Sequence, residues 1–311
     1  MESFWNSSNI LKTFIKWKLH IIIITFLGML IIGASTYLIK PKFKSYAVAY
    51  PVNLGQYSDE EHSEQMIQIL QSRNIMDSVI NKFDLAKHYG IDSADVHFQS
   101  TLYDTYNENV SVSKTQYDAV QIKTFDTNPD TASLIANSII YFYNSKVRVL
   151  HRAKYKEAMD LAYNEMMKWK SISDTLREKL QVYKVKYNIQ NVGSQIREST
   201  QGIYRSQGNT KLINKAENQL KIIAKYGAEF EKINGLYWKS YEIFLSNRAT
   251  YEDYYKEYHK VITYANVVTS PYPADKKSSP QRIIITLIGG LSVLILVILT
   301  IGFIENKKKN I

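Results

Sequence analysis

Residues 19–39 read LHIIIITFLGMLIIGASTYLI and residues 283–304 read IIITLIGGLSVLILVILTIGFI. Neither stretch holds an Asp, Glu, Lys or Arg. At about 1.5 Å per residue, each helix would span about 30 Å, the hydrocarbon thickness of a bilayer. Two such runs, one near each end of a 311-residue chain, predict two transmembrane helices. The first run is too long for the apolar core of a signal peptide, and Gly33-Ala34-Ser35 is a poor cleavage site.

Working outward, each run is flanked on both sides by three cations. They are Lys12, Lys16 and Lys18; Lys40, Lys42 and Lys44; Lys276, Lys277 and Arg282; and Lys307, Lys308 and Lys309. These twelve, against Glu2 and Glu305, account for the whole net charge of +10. Residues 45–275 are neutral, with 27 basic and 27 acidic side chains. Nucleic-acid binding needs a basic face on the folded domain, and this segment offers none. The absence of cysteine excludes disulfides, iron–sulfur clusters and thiolate zinc sites.

The flanking charges are symmetric, so they do not orient the spans. Long segments translocate largely regardless of their charge. The expected layout therefore has a tail over 1–18, spans over 19–39 and 283–304, and a tail over 305–311. Both termini are then cytoplasmic and residues 40–282 extracytoplasmic.

Within that segment, Val48, Tyr50 and Val52 alternate as a strand, with Pro51 suggesting an edge. Ser58-Asp59-Glu60-Glu61 has a capping-box pattern and opens a helix carrying Met66, Leu70, Met76, Ile80 and Phe83. A shorter helix is expected over 93–106, then a hairpin of Val110–Lys114 and Ala119–Phe125. Asn128-Pro129-Asp130 starts the next helix: Asn as N-cap, Pro at the first helical position, and Asp on the positive end of the dipole. No Gly or Pro follows until Gly193, so a helix of nearly 60 residues is possible.

The later half of that helix has apolar 4-3 spacing through Ala162, Met166, Trp169, Ser173, Leu176, Leu180, Tyr183 and Tyr187, broken only at Ser173. Gly193, Gly202 and Gly208 mark a turn over 190–210. A returning helix then repeats 3-4 from Ile213 through Phe230, Asn234, Tyr237, Tyr241, Phe244, Arg248, Tyr251, Tyr255 and Tyr258 to Ile262. Such a seam argues for long helices packed on one another. A last strand over 261–269 leads to Pro271, Pro273 and Pro280, which cannot continue a helix or a central strand. The expected fold is thus an α+β membrane protein. A small α/β base (40–129, with a returning strand and linker over 261–282) lies between the spans and a long antiparallel, coiled-coil-like hairpin (130–260).

At this point the whole chain resembles the chain length determinant, or polysaccharide co-polymerase (Wzz-type), membrane proteins of bacterial surface-polysaccharide assembly. Four features carry the resemblance. The first is the exit Lys40-Pro41-Lys42-Phe43-Lys44-Ser45-Tyr46 from the first span. The second runs from Phe125-Asp126-Thr127-Asn128-Pro129-Asp130-Thr131-Ala132 to Asn137, similar to the family's helix start. The third is the proline-rich segment ending Ser279-Pro280-Gln281-Arg282, although Ala274–Ser279 lack proline. The fourth is the two-span layout itself.

The resemblance implies ring-like homo-oligomers in the bacterial inner membrane with the intervening segment periplasmic. It implies control of the length of O-antigen, capsule or exopolysaccharide made by a separate polymerase, with no catalytic residue and no cofactor. Pro271, Pro273, Pro280 and Arg282, with both spans, are the expected contact with the polymerase and with membrane lipid. Direct contact with the growing glycan is a further implied partner. Many relatives continue into a tyrosine kinase. Here Glu305–Ile311 follow the second span and no Gly-x-x-x-x-Gly-Lys-[Ser/Thr] loop occurs, so the resemblance is to members without it.

Two other classes fit the layout: an adaptor activating a separate tyrosine kinase, and a periplasmic sensor or tether. An enzyme fits least. The six histidines are dispersed with no metal-ligand spacing, and no Gly-x-Ser-x-Gly elbow occurs. Tyr251, Tyr254, Tyr255 and Tyr258 could stack on sugars, but packing between helices explains them better. Gly28, Gly33, Gly289, Gly290 and Ser292 would let the spans approach closely, or reflect ordinary membrane-helix composition.

Overall fold

The computed structural model describes residues 7–55 and 59–309. The chain divides into two units: Met1–Val147 with Thr263–Ile311, and Arg148–Ile262.

The first unit holds the two long apolar helices, α1 (Ser7–Ser35) and α9 (Arg282–Lys309). Their stretches long and apolar enough to cross a membrane are Ile15–Ser35 and Arg282–Glu305. α1 stops four residues short of the charge-free boundary at Ile39. The Ser35 and Thr36 hydroxyls donate to the carbonyls of Ile32 and Gly33, each at 2.7 Å, and the chain turns over 36–38. Such local bonds compete with the helix ladder.

The five-stranded sheet is antiparallel. Its strands are β1 (Lys42–Pro51), β2 (Val110–Lys114), β3 (Val120–Asp126), β4 (Ala265–Thr269) and β5 (Lys277–Ser279), in the order β2-β3-β1-β4. β1 pairs with β3 on one edge. On its other edge β4 covers Val48–Pro51, and β5 covers Lys42 and Phe43. β5 is a strand that the sequence did not announce, within the proline-rich linker. A three-residue strand fits between Pro273 and Pro280 because it needs no proline N–H.

One sheet face buries Val120, Ile122, Thr124 and Asp126 of β3 with Ser45, Ala47 and Ala49 of β1. The alternation is the period-2 pattern of a strand with one face inward. The first five turns of α6 (Pro129–Lys186) bury Ala132, Ile135, Ala136, Ile139, Tyr143 and Val147 at helical spacing. Thr124 Oγ1 donates to the Ala132 carbonyl at 2.7 Å and ties the helix to β3.

Between β1 and β2 lie α2 (His62–Leu70), α3 (Arg73–Phe83), α4 (Leu85–Tyr89) and α5 (Phe98–Asn109). Ser58 lies outside the described residues. The helix begins at His62 with Glu61 at its N-cap, so Glu61 is not at the third helical position. The single helix expected through Phe83 is two, because Ser72 takes an extended N-cap conformation and its carbonyl accepts from Ile75 and Met76.

In the second unit, α6 runs on to Lys186, α7 (Val192–Arg205) follows, and α8 (Thr210–His259) closes the unit. α7 corrects the expected turn over 190–210. Asn191 Oδ1 accepts from Ser194 N at 2.8 Å, and Gln195 Oε1 accepts from Gln190 N and Asn191 N. This cap starts a helix despite Gly193 and Gly202. The sharp reversal is confined to Gln207 and Gly208, both at positive φ.

Leu180, Ile189, Phe230 and Ile233 form the buried cluster near this end, with Tyr183, Tyr187, Val192 and Tyr226 packed on it. On α6 the expected seam faces inward throughout, and Ser173, its one polar member, is among the most buried. On α8 the inward positions follow the expected repeat through Phe230, and beyond it Tyr237, Phe244, Tyr251 and Tyr258 still face inward as expected. Ile233, Ser240, Asn247 and Tyr254 join them and are more enclosed than the expected Asn234, Tyr241, Arg248 and Tyr255. Two successive steps of three, at 227–230–233, shift the register as a stammer does. Arg248 and Tyr255, expected inside, are exposed.

Candidate membrane and assembly surfaces

α1 and α9 pack on one another through small residues. A Cβ at Gly28 would lie 2.9 Å from Val293 Cγ1, one at Gly289 2.7 Å from Ile32 Cδ1, and one at Gly290 2.2 Å from Met29 Cε. Gly33 is looser, at 3.5 Å from Thr286 Oγ1. These glycines therefore serve close helix approach, the geometry small residues permit in membranes. Ser292 instead is exposed, and its hydroxyl donates to its own helix at Ile288 O.

Both ends of the pair are clasped. At the end bearing the termini, Glu305 Oε1 accepts from Lys16 Nζ and from Trp17 Nε1, each at 2.8 Å. At the other end the Arg282 guanidinium lies 4.0 Å from the centroid of the Tyr37 ring, a cation–π contact. Sequence reasoning counted Arg282 and Lys16 among the flanking cations and missed these partners. The signal was Glu305, the only carboxylate in either helix.

The linker residues converge on one end of the sheet. Pro280 is buried, and Arg282 N donates to its carbonyl at 3.0 Å. Exposed Pro41 immediately precedes Lys42, which pairs with Ser279. Pro271 and Pro273 flank Tyr272, whose carbonyl accepts from Ser45 Oγ at 2.9 Å. Phe43 pairs with Asp126 on one side and Lys277 on the other, so the α6 start belongs to this same end.

There Asn128 Oδ1 accepts from Asp130 N at 2.8 Å and Thr131 N at 3.3 Å, capping α6 beside Pro129. Ala132 is fully buried, whereas Asn137 is exposed two turns on and belongs to a different face. Asp126 was quoted only within the motif, yet it organises the corner. Its buried carboxylate accepts from His88 Nε2 at 3.0 Å, Tyr89 Oη at 2.9 Å and Asn128 N at 2.9 Å. Burial, and next the Asp126 charge, push the Tyr89 phenol well above its ordinary ionisation range.

In the second unit, aromatic pairs join α6 to α8. Ring centroids lie 5.6 Å apart for Tyr163–Tyr251 and 6.3 Å for Tyr155–Tyr254. His151 is buried beside them, its Nε2 3.5 Å from Glu257 Oε2. Tyr187 stacks on Tyr226 at 4.2 Å. The hydrogen bond from Lys225, and next that from Tyr187, hold the Tyr226 phenol below its ordinary ionisation range. The register shift leaves a second stripe on α8, with Trp238 58% exposed, Leu245 43% and Tyr255 46%. Among the described residues no group of three or more His, Asp or Glu could hold a metal ion.

Residues 8–83 match the family model of the chain length determinant protein (Wzz). No match is found among curated proteins. Among solved structures, a full-length bacterial polysaccharide co-polymerase is 14% identical, covers 98% of this chain and 99% of its own, and superposes with a TM-score of 0.50. The lipopolysaccharide O-antigen chain-length regulator of Shigella flexneri is 14% identical over 76% of this chain and 100% of its own, at a TM-score of 0.30. A Wzz dodecamer is 10% identical over the same shares, at 0.35. Residues 8–83 thus match the chain length determinant model, and the fold of the chain matches that of the full-length co-polymerase.

Proposed function

We propose that this protein regulates, without catalysis, the chain length of a bacterial surface polysaccharide. It acts as a ring-like homo-oligomer in the inner membrane, with residues 40–282 in the periplasm and both termini in the cytoplasm. The observation that carries the reading is the fold, shared from end to end with a polysaccharide co-polymerase. Two features support the details. The exposed stripe of Trp238, Leu245 and Tyr255 offers an apolar flank to a neighbouring copy. The corner of Pro41, Pro280 and Arg282, with Pro271 and Pro273 on the strand edge beside it, adjoins both spans and is the surface for a membrane-embedded polymerase.

Deletion of the gene tests the reading. The surface polysaccharide should still be made, with its modal length lost on a gel. An unchanged ladder would overturn the proposal.

A further inference from the structure

On α8 the positions one residue after those facing α6 are Trp238, Tyr241, Leu245, Arg248, Glu252 and Tyr255. Tyr241 is half-buried and the other five are exposed. On α6 the positions one residue before those facing α8 are Leu161, Glu165, Lys168, Ile172 and Thr175, all exposed. Both stripes keep the alternating three and four spacing of a helix seam. One residue turns a helix by about 100°. The two helices run antiparallel, with Tyr163 facing Tyr251 and Tyr187 facing Tyr226. A step forward on one and a step back on the other therefore turn the same way, seen from one end. The two stripes lie on opposite sides of the hairpin.

The ring pairs Tyr163–Tyr251, Tyr183–Phe230 and Tyr187–Tyr226 fix which residues stand level on α6 and α8. Carried along the helices, that register sets Glu165 level with Arg248, Lys168 with Leu245, Ile172 with Tyr241 and Thr175 with Trp238. Leu161 comes level with Glu252, one turn from Tyr255. No like charges stand level, and one opposite pair does. The Lys168 stem can cover Leu245 while its ammonium stays in water. Thr175 Oγ1 donates to Ser171 O at 2.9 Å, which leaves its methyl for Trp238. Each stripe is neutral by itself, with Glu165 beside Lys168 at 3.3 Å and Arg248 beside Glu252 at 2.9 Å. Pairing of the α8 stripe with itself, between two parallel copies, would instead set Arg248 against Arg248 and Glu252 against Glu252. Like charges so placed exclude that partner.

We propose that the α8 stripe of one copy packs on the α6 stripe of the next, front to back, with Arg248 paired to Glu165 across the contact. Rotation about an axis running along the hairpins carries no rise. Neighbouring copies then stand level, and the register within one hairpin is also the register between two. A contact between two different faces is head-to-tail, the kind that generates rings. The inference rests on the ring reading above and names the surface that receives its α8 flank.

The chain has no cysteine, so introduced ones report alone. Full-length Lys168→Cys and full-length Leu245→Cys are co-expressed and their membranes mildly oxidised. The mixture should give a crosslinked dimer. Leu245→Cys alone should give little, and so should Leu245→Cys with Lys170→Cys, which lies on the other side of α6. Arg248→Glu in both partners should slow the mixed crosslink about fivefold, the upper worth of an exposed ion pair. Glu165→Lys should do the same, and the two exchanges together should restore the rate. Sedimentation of the detergent-extracted protein separates this contact from the ring itself. An oligomer without the mixed crosslink overturns the contact and leaves the ring. So does an oligomer in which the double exchange restores nothing, or in which Leu245→Cys joins itself at the mixed rate. A monomer overturns the ring reading, and the contact with it.

Discussion

At the scale of single residues, Asp126 does more than the sequence suggested. Its position before Asn128-Pro129 marked a helix start, but its partners His88 and Tyr89 lie 38 and 37 residues away, and no periodicity announces such a contact. Replacing Asp126 with Asn leaves an amide among donors that were matched to a carboxylate. The expected loss is about 3 kcal/mol of unfolding free energy, the range for breaking one side of a buried charged network. Denaturant unfolding of the full chain in detergent measures it, and Asp130→Asn, on the exposed first turn, should change it far less.

Tyr89 gives this corner a pH dependence. Its phenol ionises well above its ordinary value because burial and Asp126 both disfavour the phenolate. The folded state therefore favours the neutral form. That stability is complete below about pH 10, the ordinary value, and is lost as pH rises above it toward the raised folded value. The denaturation midpoint should fall above about pH 10, and Tyr89→Phe should flatten that fall. Tyr106, raised by burial alone, would leave a residual slope.

At the scale of elements, legibility followed the strength of local pattern. The 58-residue α6 was readable from Asn128-Pro129 and from the run without Gly or Pro. The hairpin β2–β3 was readable from alternation. α7 was not, because Gly193 and Gly202 read as breakers while the cap by Asn191 and Gln195 outweighed them. β5 was not, because Lys-Ser-Ser carries no strand pattern and pairs only through β1. Beyond Phe230 the expected and the observed stripes of α8 share Tyr237, Phe244, Tyr251 and Tyr258, and the sequence misled only between them, where Tyr241 outweighs Ser240 and Tyr255 matches Tyr254. Apolar count alone could not rank the two stripes, and packing against α6 did. The correction is testable. Ser240→Leu overfills a buried position and should destabilise by about 1–3 kcal/mol. Arg248→Ala, on the seam expected from sequence, should stay within about 0.5 kcal/mol. Reversed magnitudes would restore the original register.

At the scale of the whole molecule, the spans were the most legible feature, and their mutual packing the least. Glycine composition suggested close approach without naming opposites. The structure sets Gly28 against Val293, with a Cβ at Gly28 3.3 Å from that of Val293, just short of the roughly 3.5–4.5 Å a disulfide bridges. Gly28→Cys with Val293→Cys should therefore crosslink within one chain on mild oxidation, and removing the valine methyls makes the room. Gly28→Cys with exposed Leu291→Cys should not crosslink within one chain. The native chain has no cysteine, so the gel background is clean.

The pairing of Lys42 with Ser279 has a mechanical consequence. β1 leaves the first span and β5 enters the second as antiparallel neighbours, so tension drawing the spans apart would peel their backbone bonds in turn and would not shear them together. β5 is three residues long, and the β1–β3 ladder beyond it pairs seven. That corner is compliant, and what resists separation is the glycine-lined span pair with a clasp at each end. A neighbour pulling on one span could unfasten the linker while leaving the sheet intact.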